Sequence, residues 1–139
     1  MEPGLTESPH QFLHPKHWKP AVGDSNGIAA RGKLIFTGGI VGWNAAQEFE
    51  TDDFAGQARQ ALYSIVEILA EAGADPEHLV RLTWYVTDKR EYLASLRELG
   101  SAYRDTIGRH YPAMALVQVV ALVEDRAKLE IEATAVLPD

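Results

Sequence analysis

The final third of the chain constrains the fold most. From Lys128 it reads Leu-Glu-Ile-Glu-Ala-Thr-Ala135, placing Leu129, Ile131, Ala133 and Ala135 on one side and Glu130, Glu132 and Thr134 on the other. That period of two is the pattern of a strand with one face in a core and one in water. The stretch before it, Ala113 to Leu122, is apolar at both alternations and interrupted only by Gln118. A strand of that kind is covered on both faces, by helices or by another subunit. The polar Val123-Glu-Asp-Arg-Ala127 reads as the turn of a hairpin between the two. A site is to be sought where the carboxylate-bearing strand faces its apolar neighbour.

Upstream, Ile28 to Arg31, a Gly32-Lys33 turn and Leu34 to Gly38 predict a second hairpin. Gly38-Gly39 ends it and permits close backbone approach, with Trp43 and Phe49 in the loop that follows. Thr51-Asp52-Asp53 supplies a helix N-cap. Phe54, Ala58, Ala61, Leu62, Ile65 and Leu69 then recur at helical steps until Gly73. A strand over His78–Val86 and a helix over Glu91–Thr106, with Leu93, Leu96, Leu99, Tyr103 and Ile107 as its apolar stripe, complete the order β-β-α-β-α-β-β. Right-handed crossovers put both helices on one face of a mixed sheet. The other face is left bare, and so many apolar strand residues imply that it packs on further copies of the chain.

With 139 residues the chain makes one domain, over 20–139, preceded by an extended arm over 1–19 that carries Pro3, Pro9 and Pro15. His10, His14 and His17 have helical spacing, but Pro15 breaks that helix and no metal site is expected there. A net charge of −7 argues against nucleic acid or an anionic membrane as partner. The absence of cysteine removes disulfides and thiolate chemistry. No apolar run approaches a membrane span and no signal segment opens the chain, so a cytoplasmic location is expected.

Three segments carry a resemblance to a known family. Leu34-Ile-Phe-Thr-Gly-Gly39, Thr83-Trp-Tyr-Val-Thr-Asp88, and Tyr111-Pro-Ala-Met-Ala with Lys128-Leu-Glu-Ile-Glu-Ala occur in the order seen in the Rid, or YjgF-like, reactive-intermediate deaminases. The match covers about residues 20 to 136. It implies an α+β, chorismate-mutase-like fold, assembled as a homotrimer with a central barrel and clefts between subunits. It also implies hydrolysis of enamines or imines to a ketone and ammonia, without cofactor or metal. Glu130 matches the family's first glutamate and is the expected proton-transfer residue. Gly39 matches the glycine beside the ligand, and Gly38 shapes the same wall.

The chain also departs from the family. Met114 stands where the deaminases carry a carboxylate-binding arginine, Leu116 where they carry cysteine or a similar residue, and Ser25 where they carry tyrosine. Methionine makes the substrate-binding wall apolar. Arg31, Arg81 and Arg109 are the candidates to supply a guanidinium from another direction. Two functions fit these substitutions. One is a deaminase whose substrate is larger or less carboxylated than the simple amino-acid imines, such as an aminomuconate-like or aromatic-ring-derived enamine. The other is a non-catalytic trimer that binds a small ligand.

Overall fold

The computed structural model describes residues 8–139, and the part of the arm over residues 1–7, including Pro3, lies outside it. Its strands are β1 (Gln11–Phe12), β2 (Ile28–Ala29), β3 (Lys33–Phe36), β4 (Ile40–Val41), β5 (Leu79–Val86), β6 (Ala113–Gln118) and β7 (Leu129–Leu137). The helices are α1 (Phe54–Glu71), α2 (Lys89–Ala94) and α3 (Leu96–Thr106). The main sheet runs β3-β7-β5-β6, and β4 continues the β3 edge along β7. All its pairings are antiparallel except β5 with β6.

Neither expected hairpin forms. β2 pairs with β1 of the arm, while β3 turns away at Gly32 and pairs with β7. β6 and β7 are not neighbours, because β5 lies between them. The segment over residues 119–128 is too long for a tight hairpin loop and long enough to step across one strand, a distance of about 10 Å. Inserting β5 there pairs both of its edges, which suits a strand buried at alternate residues from Leu82 to Val86, beyond a register shift between Leu79 and Arg81. The second helix is also divided. At Ser95 the backbone adopts φ −111° and ψ 11°, its N–H bonds back to Tyr92 O, and the axis breaks between α2 and α3. The stripe therefore splits: Leu99, Tyr103 and Ile107 are buried, whereas Leu93 and Leu96 stay exposed.

The core lies between α1, α3 and one face of the sheet. Asp53 caps α1 by accepting a hydrogen bond from Gly56 N–H, and Ala58, Ala61, Leu62, Ile65 and Leu69 of the helix are fully buried. They meet Leu82, Trp84 and Val86 of β5 and Leu129, Ile131 and Ala133 of β7. Each buried leucine or isoleucine contributes about 1.5–3 kcal/mol, so this layer holds α1 in place. On the other face, Leu34 and Phe36 of β3 and Val117 of β6 are exposed, as the alternation requires for a sheet covered on one side. β6 is thus apolar on both faces but covered on one.

The arm packs over a buried histidine. His110 is 1% exposed, its ring lies 5.9 Å from that of Phe12, and its Nε2–H donates to Leu79 O at 2.8 Å. Its Nδ1 is buried without a partner, so a proton there has nothing to bond to. His10 and His78 pack nearby, His10 donating through Nε2–H to His78 O at 3.0 Å. Burial first of all, with these imidazoles adding, lowers the His110 pKa below its ordinary 6.5. Above that value the ring is neutral folded or unfolded and contributes no pH dependence. Below it the unfolded chain takes up a proton that the folded chain resists, so stability falls as pH drops through this window. Urea unfolding at pH 7.5 and 5.5 is expected to show a steeper acid loss for wild type than for His110→Gln. The difference is bounded by one proton, about 1.4 kcal/mol per pH unit. Equal slopes would remove His110 as the source.

Candidate active site

Between β3 and β4 the chain runs along β7 with one residue too many. Phe36 pairs with Thr134, Thr37 N–H donates to Ala133 O, and Ile40 pairs with Ile131, so Gly38 and Gly39 together oppose Glu132. Thr37 pins this bulge. Its hydroxyl donates to Gly38 O at 2.7 Å and accepts from Ala133 N–H at 3.0 Å. Both glycines are exposed, and a Cβ on Gly39 would sit 2.5 Å from Glu130 Oε2 and 2.7 Å from its Cδ. A side chain at 39 and the observed Glu130 rotamer are mutually exclusive. Gly38 has no such neighbour. The carboxylate most suggestive in sequence thus lies against the glycine corner most suggestive in sequence.

Glu132 lies two residues along β7, on the same open face. Tyr85 of β5 donates its hydroxyl to Glu132 Oε1 at 2.6 Å. That hydrogen bond is the main cause raising the Tyr85 pKa above 10.0, with the Glu132 and Glu130 charges adding, so Tyr85 remains a donor at neutral pH. Glu132 is therefore held by Tyr85, whereas Glu130 has no side-chain hydrogen bond among the described residues.

Met114 and Leu116 are elsewhere. Their side chains point to the helix-covered side of β6, where they line a groove with Trp84, Tyr92, Leu99 and Tyr111. The sheet separates this groove from Glu130 and Gly39 within one protomer. Ser25 anchors the groove's rim: it bridges Ala113, its N–H donates to Pro112 O at 3.1 Å, and its hydroxyl donates to Tyr111 O. That hydroxyl is already engaged, and the neighbouring Gly23 and Asp24 face the groove. Arg31, Arg81 and Arg109 do not line it; Arg104 of α3 does. No sequence motif marks Arg104, since the break at Ser95 aims α3 and no local pattern announced that break.

Among the described residues, Asp75, Glu77 and His78 form one group with metal-ligand atoms within 4.8 Å. His78 Nδ1 in that group already accepts from Asp75 N–H at 2.9 Å. His10 and His14 are committed to backbone and side-chain partners of their own.

The geometry at Gly39 makes a prediction. Gly39→Ala is expected to fold, because the atoms it meets are the far end of a flexible side chain, and to displace the Glu130 carboxylate. A melting temperature within a few degrees of wild type, with activity reduced about tenfold or more, is the expected pair of results. Unchanged activity would show that Glu130 need not occupy this corner.

A mixed sheet with helices on one face places the chain in the α+β, chorismate-mutase-like class of YjgF/Rid proteins. The chain belongs to the family described as endoribonuclease L-PSP, whose model matches residues 17–137. A RutC family protein of Haemophilus influenzae is 30% identical over 126 residues, covering 91% of this chain and 96% of that protein. The 2-iminobutanoate/2-iminopropanoate deaminase of Escherichia coli is 32% identical over 105 residues, covering 76% and 80%. Among solved structures, the conserved Rid family protein YyfB of Yersinia pestis superimposes with a TM-score of 0.81 at 31% identity, covering 92% of this chain and 98% of that one. Among the described residues no helix is long and apolar enough to cross a membrane.

Proposed function

We propose that the chain is an enamine/imine deaminase, releasing ammonia from a small reactive substrate that differs from the simple amino-acid imines. The observation that carries this reading is the Glu130 carboxylate, without a side-chain partner among the described residues and seated against Gly39. The deaminase relatives make ammonia release the natural reaction class. An enamine gains a proton at carbon and becomes an iminium ion. Glu130 takes a proton from water as its oxygen bonds to the iminium carbon, giving a carbinolamine. The same carboxyl returns that proton to nitrogen, the C–N bond breaks as the hydroxyl loses its own proton, which balances the one first taken up at carbon, and ammonia leaves with a ketone behind. Gly38 and Gly39 let the substrate approach the backbone. Water is the only co-reactant, so no cofactor or metal enters the scheme.

Met114 and Leu116 lie on the other side of the sheet, and β6 is an edge strand. A homotrimer that sets the β6 edge of one copy against the Glu130 corner of the next would bring them into one cleft. The exposed Leu34, Phe36 and Val117 supply apolar surface for it. Native mass spectrometry is expected to give a trimer, and a monomer would remove the shared cleft. Phosphodiester chemistry is disfavoured by the −7 charge and by two glutamates on the open face. Met114 favours one other reading, a trimer of the same fold that binds a small ligand without turnover.

The deciding experiment is ammonia release from a panel of freshly generated imines and enamines, spanning small amino-acid imines, neutral imines and aminomuconate-type compounds. Glu130-dependent release favouring bulky or conjugated substrates is expected. No release across the panel would leave the ligand-binding reading in its place.

A further inference from the structure

We infer that the groove between α3 and β6 is a binding site for planar, conjugated or aromatic monocarboxylates, and that Arg104 supplies the guanidinium that selects them. The groove holds about 360 Å³, toward the small end of ligand cavities and enough for a single ring with a short chain. Its lining is mostly apolar and aromatic: Met114 and Leu116 of β6, Trp84 of β5, and the rings of Tyr92, Tyr103 and Tyr111. Tyr103 and Tyr111 stack with centroids 5.4 Å apart and planes 12° apart, and the Tyr103 hydroxyl donates to His110 O at 2.5 Å. That wall is therefore rigid before any ligand arrives. A rigid aromatic wall suits a planar partner.

The charge requirement comes from Arg104. Arg59, Arg90 and Arg126 each pair with an aspartate, whereas Arg31, Arg81, Arg97, Arg104 and Arg109 make no ion pair or side-chain hydrogen bond among the described residues, and of these five only Arg104 lines the groove. Its guanidinium lies back along α3 over Gly100, where a Cβ would come within 3.3 Å of Nη1. Glycine inside a helix costs about 1 kcal/mol relative to alanine, so α3 is weakened at the position that gives this guanidinium room. Gly100 and Arg104 both line the groove. In a chain of net charge −7, anion recognition needs such a local cation, and the fork of a guanidinium matches a carboxylate. The one carboxylate in the lining, Asp24, disfavours a second acidic group on the ligand and suits a protonated C=N. Met114 thus gives up the charge on β6 while α3 restores it from across the groove. The identity of the ligand as a conjugated imine rests on the deaminase reading; the binding of a carboxylate does not.

The test is calorimetric titration of the full chain with benzoate and with benzamide, its neutral isostere. Wild type is expected to prefer benzoate. Arg104→Ala should weaken benzoate about tenfold and leave benzamide unchanged. Arg104→Lys should fall between, and Arg97→Ala, elsewhere on the surface of α3, should match wild type. Leu116→Trp, which fills the groove, should abolish binding of both. Benzoate affinity unchanged in Arg104→Ala, equal affinities for the two probes in wild type, or binding of neither at millimolar concentration would each overturn the site. If imines are turned over but Arg104→Ala leaves KM for carboxylated ones unaltered, this inference fails and the deaminase reading stands. Arg104-dependent benzoate binding with no turnover of any imine would uphold the site and remove the deaminase reading.

Discussion

Exchanging Glu130 for glutamine is expected to lower ammonia release by roughly 10²- to 10⁴-fold, the usual contribution of a positioned acid–base group. Glutamine keeps the size of the side chain and its contact with Gly39, so the loss isolates proton transfer from packing. The effect should appear in kcat, because the lost interaction belongs to the addition and breakdown of the carbinolamine rather than to capture of the substrate. Glu132→Gln is the matched control. That residue shares the open face but is engaged by the Tyr85 hydroxyl at 2.6 Å, and its replacement should cost far less. Full rates in Glu130→Gln would remove the proton-shuttle assignment. Equal losses in the two variants would spread the role over both carboxylates.

The largest stability effect is expected at Gln57. This side chain on α1 is fully buried and bonds three separate backbone groups. Its Nε2 donates to Thr51 O and to Arg126 O, both at 3.0 Å, and its Oε1 accepts from Lys128 N–H at 2.8 Å. It fastens the loop before α1 and the entry to β7 to the same helix turn. Gln57→Leu fills the space but strands two carbonyls and an N–H, each worth about 1–3 kcal/mol when left unpaired and buried. A loss of about 3–5 kcal/mol is expected in urea unfolding, a large fraction of the stability of a domain this size. A loss below about 1 kcal/mol would mean that water replaces the amide at these groups. Glu130 lies two residues beyond Lys128, so this hub also bears on the registry of the candidate site.

The alternation along Leu129–Ala135 and the apolar stripe of α1 are legible in sequence because each reports local exposure, and local exposure repeats with the period of the element. The motif resemblance adds the family and names Glu130 and Gly39 separately; that the two meet is a finding of the β4–β7 pairing in space. Pairing partners are another matter. Whether β6 lies beside β7 or beyond β5, and whether β2 turns onto β3 or onto the arm, depends on which arrangement satisfies backbone groups far apart in sequence. An amphipathic period is silent on that. The division at Ser95 is silent too, since neither proline nor glycine marks it, yet it leaves Leu93 and Leu96 exposed and turns Arg104 toward the groove. By itself, then, the sequence determined α1, most of the strands and their inward faces, and named Glu130 and Gly39 as candidates for the site. Only the tertiary structure decided that Glu130 and Met114 stand on opposite sides of a sheet, because strand order is settled by the burial of the whole rather than by any stretch within it.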